Sequence, residues 1–473
     1  MTRRHEIDFT VGPMLKKIIL YALPIVGVNV LQLLFTTADV AVLGIFTNDF
    51  AVAAVGATTQ IVNLMIGFFV GLSIGANVLI ARCVGARDKE KSRRFVGTSV
   101  LISLIFGVVV MIVGVLLAEQ MLVWTSCAPT VLPYAKKYLQ IYFIGMPVIM
   151  LYNFSAAILR AVGDTLRPMI FLIVGGVVNV VLNIFFVIVV GLDIEGVAIA
   201  TVASNLISAV CAFVLMVKND GYAKIEKKHF RIYSREFKEI FVIGFPLALS
   251  KCLFSFSNTI VQSSINSLGD MVMTAHSITK EFDGFILEAV HGFGTANLAV
   301  ISQNYGAKNM KRVKKAALLS MALMMGVSLS LGVILYFAGA TLCGIMTDTE
   351  QVIEYCMVRI TTISMLYFIL GALNIVQEVI RGIGYSFTSL MLSITANILL
   401  RIIYIYLVYP LIYIEGNTAH NLRMLYILYP VSWLISTAIG VIIMIVLYRR
   451  VKARFEREEV AENKEIAVEE QIA

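Results

Sequence analysis

A carboxylate inside an apolar stretch is the first feature of this sequence that suggests chemistry. Asp39 lies within residues 18–46, which carry no other charged side chain. In a membrane a buried carboxylate is energetically costly, so by default it indicates an ion or proton pathway. The alternative is a carboxylate that the hydroxyl of Thr36 or Thr37 caps and that the fold merely tolerates.

Amide and hydroxyl groups of the first half could join Asp39 in binding a cation. Asn179 and Asn183 are four residues apart, so on a helix both side chains point the same way. Asn153 and Thr201 lie in other apolar stretches of the same half. Na⁺ should favour carboxylate, amide and hydroxyl oxygens, by analogy with other hard cations. The five residues could form a Na⁺ site, or the asparagines could only join helices by hydrogen bonds.

The second half carries more charge inside its apolar stretches. Glu281 and Glu288 are seven residues apart, so on a helix they share one face, about 10 Å apart along the axis. Either could attract a cationic substrate or take up a proton, with His291 as a further member of a relay. Lys251 and Arg401 are available partners, because charges at membrane depth usually pair. The alternative is a Lys251–Glu288 pair, or Arg401 with a glutamate, that only holds helices together.

Two further pairs have the spacing of neighbours on one helix. Asp283 lies three residues after Lys280, and Arg381 lies three residues after Glu378. Residues three apart face each other on a helix surface. We therefore expect both pairs to be local intrahelical contacts.

Motifs of enzymes and metal sites are missing. The six cysteines show no CxxC spacing and the five histidines are scattered, so no metal cluster can be identified. No P-loop is present, and no GxGxxG motif follows a strand pattern, so we expect no ATP hydrolysis. No Ser/His, paired-Asp or HExxH arrangement lies within the apolar stretches. We expect no enzyme activity and no cofactor.

Composition predicts the elements that position these residues. Of 473 residues, 59% are hydrophobic and only 14% are charged, and the mean hydropathy is +0.88. Soluble domains carry about 25% charged residues, so a water-soluble fold is excluded. Spanning helices need about 20 apolar residues and leave no backbone group unpaired in lipid. We predict an all-α polytopic membrane protein with twelve helices. They are placed at 18–46, 50–81, 95–118, 138–159, 168–192, 196–217, 240–267, 272–303, 316–347, 360–380, 387–412 and 424–448.

The distribution of lysine and arginine predicts the orientation. With the N-terminus inside, 31 of the 38 basic residues lie in cytoplasmic segments, against four outside, which are Lys136, Lys137, Arg359 and Arg423. This bias follows the positive-inside rule and places both termini in the cytoplasm. It also accounts for the net charge of +8 without a nucleic-acid partner. We expect a multi-pass protein of the plasma (inner) membrane.

The chain repeats itself at an offset of 221 residues. Each half holds six predicted spans, so both halves enter the membrane from the same side, as in a parallel repeat. We predict two pseudo-symmetric six-helix bundles, residues 1–217 and 240–450, joined by a cytoplasmic linker, 218–239. A polar cytoplasmic tail, 451–473, should be a frayed helix or disordered. The matched positions are Gly85-Ala86-Arg87 with Gly306-Ala307-Lys308, Asn153 with Asn374, Arg160 with Arg381, Gly163 with Gly384 and, shifted by one, Leu23-Pro24 with Phe245-Pro246.

The repeat affects two of the interpretations. Pro24 and Pro246 should kink the first helix of each half alike. Asn374 matches Asn153, which favours symmetric packing over ion binding for that asparagine. An ancient duplication kept only for packing is the alternative to transport, but duplicated bundles around a cleft suit alternating access.

In these features the sequence resembles the multidrug and toxic compound extrusion (MATE) family, over roughly residues 10 to 450. Single motifs are weak, and their order, spacing and repetition carry the resemblance. It implies two six-helix lobes around a V-shaped cavity, and export of amphipathic, often cationic compounds driven by inward flow of Na⁺ or H⁺. The motifs are Leu23-Pro24, Leu31-Gln32, Ala38-Asp39, Gly44, Ala53-Ala54-Val55-Gly56, Gly71, Gly75-Ala76-Asn77, Gly85-Ala86-Arg87, residues 159–164, residues 196–201, Ala275-His276, Gly306-Ala307-Lys308 and Arg381-Gly382-Ile383-Gly384.

The resemblance also implies roles for particular residues. Asp39, Asn153, Asn179, Asn183 and Thr201 match polar positions that help form the cation site of the first lobe in similar proteins. This chain departs from the pattern at Asn183, where many relatives carry an aspartate. One carboxylate instead of two would weaken ion binding or alter proton coupling.

We therefore expect a secondary active multidrug antiporter that works by alternating access. Its partners would be small amphipathic or cationic substrates and the lipid bilayer, and the monomer would be functional. Protonation of Asp39, or Na⁺ beside it, would favour the conformation that releases drug outward. One alternative is a flippase for a lipid-linked saccharide, which the two basic residues Lys251 and Arg401 support. Another alternative is a non-transporting receptor or scaffold. The lack of large extramembrane segments argues against it.

Overall fold

The structure, a computed structural model, describes residues 6–47 and 49–472, without the side chains of 49, 462 and 464–472. Within these ranges the helices are joined by turns and irregular segments, and no strand forms. Eleven helices are long and apolar enough to cross a membrane, and a bent helix pair makes a twelfth span. The prediction of an all-α membrane protein with twelve spans is confirmed.

Contacts divide the chain into two compact units, Met1–Ser255 and Phe256–Ala473. The boundary lies inside one helix, so the predicted linker and the start of the seventh span pack with the first unit. The domain bounds 1–217 and 240–450 stay a prediction. The first unit contains α1 Met14–Phe46, α2 Asp49–Gly85, α3 Lys89–Trp124, α4 Leu132–Ile144, α5 Met146–Ala161, α6 Leu166–Ile184 and α7 Ile194–Lys218. Helix α8, Ser234–Asn266, begins in the first unit and ends in the second.

The fourth span of the first unit is bent, and the two proline-containing first helices are not interrupted. Helices α4 and α5 meet at 51° around Gly145. Pro147, in the first turn of α5, has no backbone N–H to continue the α4 hydrogen-bond ladder. By contrast α1 and α8 run without a break through Pro24 and Pro246, where we expected kinks.

The second unit has the same order of long helices with more irregular turns. The fourth span of this half is α11 and α12, joined by a 3₁₀ turn, Ser364–Leu366. Its fifth span contains π-helical turns at Thr395–Leu399 and Tyr404–Val408, and α6 likewise continues into a π turn, Phe185–Val189. The helices are α9 Asp270–Gly306, α10 Met310–Met346, α11 Glu350–Ile363, α12 Tyr367–Gly382, α13 Ser386–Ile394, α14 Leu400–Ile403, α15 Tyr409–Ile412 and α16 Thr418–Ile472.

The internal repeat is visible in local backbone structure. Asp88 caps the N-terminus of α3 by accepting a hydrogen bond from a backbone N–H three residues on, at 2.9 Å. Asn309 caps α10 in the same way, at 3.0 Å. The preceding residues, Arg87 and Lys308, both adopt a left-handed conformation, with φ of 59° and 52°. The sequence repeat is therefore a structural repeat as well.

The segment between the two halves is ordered against α3. The Ser92 hydroxyl donates to the Tyr222 carbonyl at 2.9 Å, and Arg93 pairs with Glu226 at 2.5 Å. A Cβ at Gly97 would lie 2.0 Å from the carbonyl oxygen of His229, so only glycine allows this close approach. The linker is thus a docked part of the first unit.

The polar tail is helical over its described part, which agrees with the helical one of the two alternatives expected for residues 451–473. Helix α16 continues to Ile472. Arg454 donates to the Tyr305 hydroxyl at 2.7 Å, and Lys308 pairs with Glu458 at 3.6 Å. These contacts with the α9–α10 corner, and pairs four residues apart within α16, stabilise the extension.

Candidate functional site

A close approach of α1 and α6 positions the polar residues of the first unit. A Cβ at Gly176 would lie 1.9 Å from the ring of Phe35, so the two helices touch where α6 has no side chain. Asp39 lies one turn beyond Phe35, and Asn183 lies two turns beyond Gly176. The glycine therefore brings α1 and α6 close enough for these two polar side chains to meet.

A chain of hydrogen bonds starts at Asp39. The Nδ2 group of Asn183 donates to Asp39 Oδ1 at 2.5 Å and to Asn179 Oδ1 at 3.3 Å. Asn179 Nδ2 donates to the Thr201 hydroxyl at 3.4 Å, and that hydroxyl donates to the Val197 carbonyl at 2.9 Å. The structure thus connects four of the five residues that the sequence proposed for a cation site.

The oxygen atoms of this cluster suit a small hard cation. Asn183 is fully buried, and Asn179 is 4% exposed, while Asp39 is partly buried. The Oδ1 atom of Asn183 is buried and has no hydrogen-bond partner within the described residues. Rotating the Asn183 amide would turn this oxygen towards the Asp39 carboxylate, which is favourable only if a cation lies between them. Carboxylate, amide and hydroxyl oxygens are the ligands that hard cations prefer.

The remaining residues predicted around Asp39 are engaged elsewhere. Asn153 donates to the Ile149 carbonyl of its own helix at 2.8 Å and is not part of the hydrogen-bond chain. Thr36 and Thr37 donate to carbonyls one turn back in α1, each at 3.0 Å. A hydroxyl has one proton to donate, so neither threonine donates to Asp39, and the alternative of a threonine-capped carboxylate is wrong.

A buried ion pair forms the centre of a second polar cluster, within the second unit. Arg359 donates to Asp283 Oδ2 through Nη2 at 2.5 Å and through Nε at 2.9 Å. The two side chains are 8% and 7% exposed. The Nη1 group of Arg359 lies 2.6 Å from His276 Nδ1, and its guanidinium lies 5.1 Å from the centre of the Tyr426 ring. Because arginine only donates, His276 Nδ1 is the acceptor and the imidazole proton sits on Nε2.

This cluster corrects two sequence interpretations. Asp283 pairs with Arg359 of α11, and not with Lys280 of its own helix, whose side chain is exposed. Arg359, which was assigned to an outer segment, is buried within α11. Asp283 can reach α11 because it lies on the buried side of α9, whereas Lys280 lies on the exposed side. The apolar neighbours Val358 and Ile360 were the available signal for Arg359.

The other charges predicted for the second half differ in their exposure. Glu281 and His291 are exposed, and Glu288 is partly buried. Lys251 is exposed and belongs to the first unit. The Glu378–Arg381 contact, predicted from spacing, is confirmed at 2.6 Å.

Arg401 is buried among polar and aromatic groups of the second unit. It is 2% exposed and donates to Asn258 Oδ1 at 3.0 Å and to Ser257 Oγ at 3.2 Å. It also lies 3.4 Å from Asn397 Oδ1 and 4.7 Å from the centre of the Tyr429 ring. Arg401 follows the π turn Thr395–Leu399, and π turns often occur at functional sites.

Known proteins with similar sequences are drug exporters by name. The protein YpnP of Bacillus subtilis (strain 168), a probable multidrug resistance protein, is 25% identical over 402 residues, covering 83% of this chain and 88% of the relative. The multidrug export protein MepA of Staphylococcus aureus (strain NCTC 8325 / PS 47) is 22% identical over 387 residues, covering 81% and 82%.

Solved structures share the fold. An outward-facing multidrug resistance MATE family transporter of the MOP superfamily has a TM-score of 0.87 and 22% identity, over 96% of this chain and 100% of the other. A MOP superfamily transporter from Pyrococcus furiosus Vc1 has a TM-score of 0.85 and 23% identity, over 94% and 98%. The model of the MatE family matches residues 24–185 and again residues 246–407, once in each half. Since these matches cover more than half of the chain, it belongs to the MatE family, as its motifs predicted.

Proposed function

We propose that this protein is a secondary active multidrug exporter, which exchanges amphipathic or cationic compounds for Na⁺ or H⁺. The single observation that supports ion coupling is the Asp39–Asn183–Asn179–Thr201 hydrogen-bond chain within the first unit. The names of the relatives, multidrug resistance and export proteins, support the substrate class. The protein carries out no chemical reaction on its substrate and would function as a monomer in the plasma (inner) membrane.

The coupling step would exchange one partner of Asp39 for another. In the structure the Asn183 amide donates its protons to Asp39 and Asn179, so the carboxylate is satisfied by a neutral donor. A proton on Asp39 or a Na⁺ ion beside it removes the need for this donor. The Asn183 amide can then rotate and present its unsatisfied Oδ1 to the cation. The change loosens the link between α1 and α6 and would favour outward release of drug.

Orientation supports inward flow of the coupling ion. The excess of lysine and arginine in the segments 82–94, 218–238, 308–315 and 449–464 supports a cytoplasmic location of these segments and of both termini. The described contacts of the linker and of the tail lie among these basic segments. A cation that reaches Asp39 from the outer side would therefore move down an inward gradient.

Flux of ethidium or a fluoroquinolone in proteoliposomes tests the proposal, with Na⁺ and pH gradients imposed separately. We expect one gradient to drive flux in the wild type, and Asp39→Asn to reduce that flux at least tenfold without loss of insertion. Thr37→Val is the matched control, because Thr37 bonds only to a carbonyl of its own helix and its loss should leave flux unchanged.

The outcomes separate the candidate functions. Normal gradient-driven flux by Asp39→Asn would contradict the role of Asp39. Absence of flux under every gradient, in correctly inserted protein, would contradict the exporter itself. Binding of a lipid-linked pyrophosphate would then favour the flippase, for which the buried guanidinium of Arg401 is a suitable anion partner.

A further inference from the structure

Helices α10 and α11 are close antiparallel neighbours in the second unit. They are joined only by residues 347–349. A Cβ at Gly339 would lie 2.7 Å from Ile360 Cδ1, and one at Gly344 would lie 4.0 Å from Ile353 Cδ1. As the residue number rises along α10 it falls along α11. The contacts at Gly339 and Gly344 therefore bracket a short stretch in which the two helices face each other residue by residue.

Two cysteines face each other in this stretch. Cys343 of α10 and Cys356 of α11 are both fully buried members of the same hydrophobic cluster, and they lie between the two glycine contacts. Both are reduced in the structure. The Cys356 thiol also lies 3.5 Å from the Ala275 carbonyl, which fixes its position against α9. A disulfide requires facing residues with Cα atoms about 4.4–6.8 Å apart. The close approaches at Gly339 and Gly344 bring the two helices together on either side of the pair.

We propose that Cys343 and Cys356 form a reversible intramolecular disulfide, which links α10 to α11 within the second unit. The co-reactant is a low-molecular-weight disulfide. One thiol, as the thiolate, attacks a sulfur of the co-reactant, which releases one small thiolate and leaves a mixed disulfide on the protein. The second cysteine then attacks the protein sulfur of that mixed disulfide and releases the second small thiolate. Two protein thiols are oxidised and one external disulfide is reduced to two thiols.

The position of the pair gives it access to an oxidising environment. Cys343 lies three residues before the end of α10, and Cys356 lies six residues after the start of α11. The connecting residues Asp348 and Thr349 are exposed. The proposed orientation puts this turn on the outer side of the membrane, where disulfides persist. Opening of the last turn of α10 exposes the thiols long enough for exchange.

The link would stabilise the buried ion pair of the same unit. Arg359 lies one turn beyond Cys356 on α11, and it holds Asp283 of α9. A bond between α10 and α11 limits the movement of α11 at that point. Oxidised protein should therefore unfold at a higher temperature than reduced protein.

Peptide mapping of the purified full-length protein tests the proposal. The protein is incubated with oxidised or reduced glutathione, its free thiols are blocked with N-ethylmaleimide under denaturing conditions, and it is digested at glutamates. Cleavage after Glu350 and Glu354 separates the two cysteines, so a disulfide appears as two joined peptides. We expect the joined pair only after oxidation, with reversal by dithiothreitol. We also expect a rise of several degrees in the unfolding temperature on oxidation.

Controls distinguish a specific link from general thiol oxidation. Cys127, which is partly exposed, reports whether the oxidant reaches the protein, since it should form a mixed disulfide with glutathione. In Cys356→Ala the joined peptides and the rise in unfolding temperature should both be lost. The proposal is overturned if Cys127 forms the mixed disulfide with glutathione while Cys343 and Cys356 are both fully labelled by N-ethylmaleimide, because such labelling shows that both thiols were still free. A fall in unfolding temperature on oxidation would equally contradict it.

Discussion

Loss of one member of the Asp283–Arg359 pair should destabilise the second unit strongly. The two side chains are 7% and 8% exposed and share two hydrogen bonds, at 2.5 Å and 2.9 Å. In Asp283→Ala the guanidinium stays buried, with a neutral imidazole and aromatic rings as its described neighbours. Removing one partner of a buried pair costs about 3–5 kcal/mol in free energy of unfolding.

Removing both charges should cost much less. The variant Asp283→Leu with Arg359→Met replaces the pair by apolar side chains of similar volume, and such replacements are often neutral or stabilising by about 1–4 kcal/mol. The double variant should therefore be more stable than either single variant. The coupling free energy of the two positions, measured in a double-mutant cycle, should be about 3 kcal/mol or more.

Equilibrium unfolding in mixed micelles of detergent and SDS, followed by circular dichroism, measures these free energies. Glu119→Ala is the matched control, because it breaks the Lys136–Glu119 pair, which has a similar N–O distance of 2.7 Å but side chains that are 40% and 55% exposed. An exposed pair contributes about 0–1 kcal/mol. If Asp283→Ala were no more destabilising than Glu119→Ala, the reasoning from burial would be refuted.

Three further variants test the cluster around Asp39 and the docking of the linker. Asn183→Asp places a second carboxylate beside Asp39, and it should lower the Na⁺ concentration for half-maximal flux if Na⁺ is the coupling ion; an unchanged value would count against a shared ion site. Gly176→Leu should push α1 away from α6 at Phe35, which should lower the free energy of unfolding by about 1–3 kcal/mol and abolish coupled flux. Gly56→Ala is the control, because a Cβ at Gly56 would meet nothing within 4 Å, and it should leave flux unchanged. Gly97→Ala should displace the linker and speed tryptic cleavage between residues 224 and 235 in intact protein, and equal cleavage rates would show that the linker is not docked there.

The number, type and approximate ends of the helices could be predicted from the sequence. A span depends on the summed transfer free energy of about 20 neighbouring residues, which is a local property of the chain. The apolar stretch 196–217 lies within α7, and the stretch 316–347 ends one residue beyond the end of α10. The bend at Gly145 and the contacts that stabilise the helical tail were not predicted. The bend depends on the hydrogen bonds around Pro147, and the tail depends on contacts that α16 makes with Tyr305 and Lys308.

The cluster around Asp39 could be proposed from residue type and spacing, because a carboxylate and two amides at membrane depth are unusual. Which atoms meet was decided by the packing of α1 against α6. Asn183 bonds to Asp39 across these two helices, whereas Asn153 bonds to a carbonyl of its own helix. Asn183, where the resemblance led us to expect a departure from the family pattern, is thus the residue that touches Asp39 directly.

Composition and hydropathy determined the membrane fold and the position of one intramembrane carboxylate, because these properties are sums over neighbouring residues or single residue types. Motifs that recur 221 residues apart determined the duplication. The partners of buried charges were decided only by tertiary structure. Asp283 is three residues from Lys280, but it pairs with Arg359, which is 76 residues away. Spacing along one helix says which side chains are neighbours on its surface, but the rotation of that helix in the bundle decides which of them is buried and meets another helix.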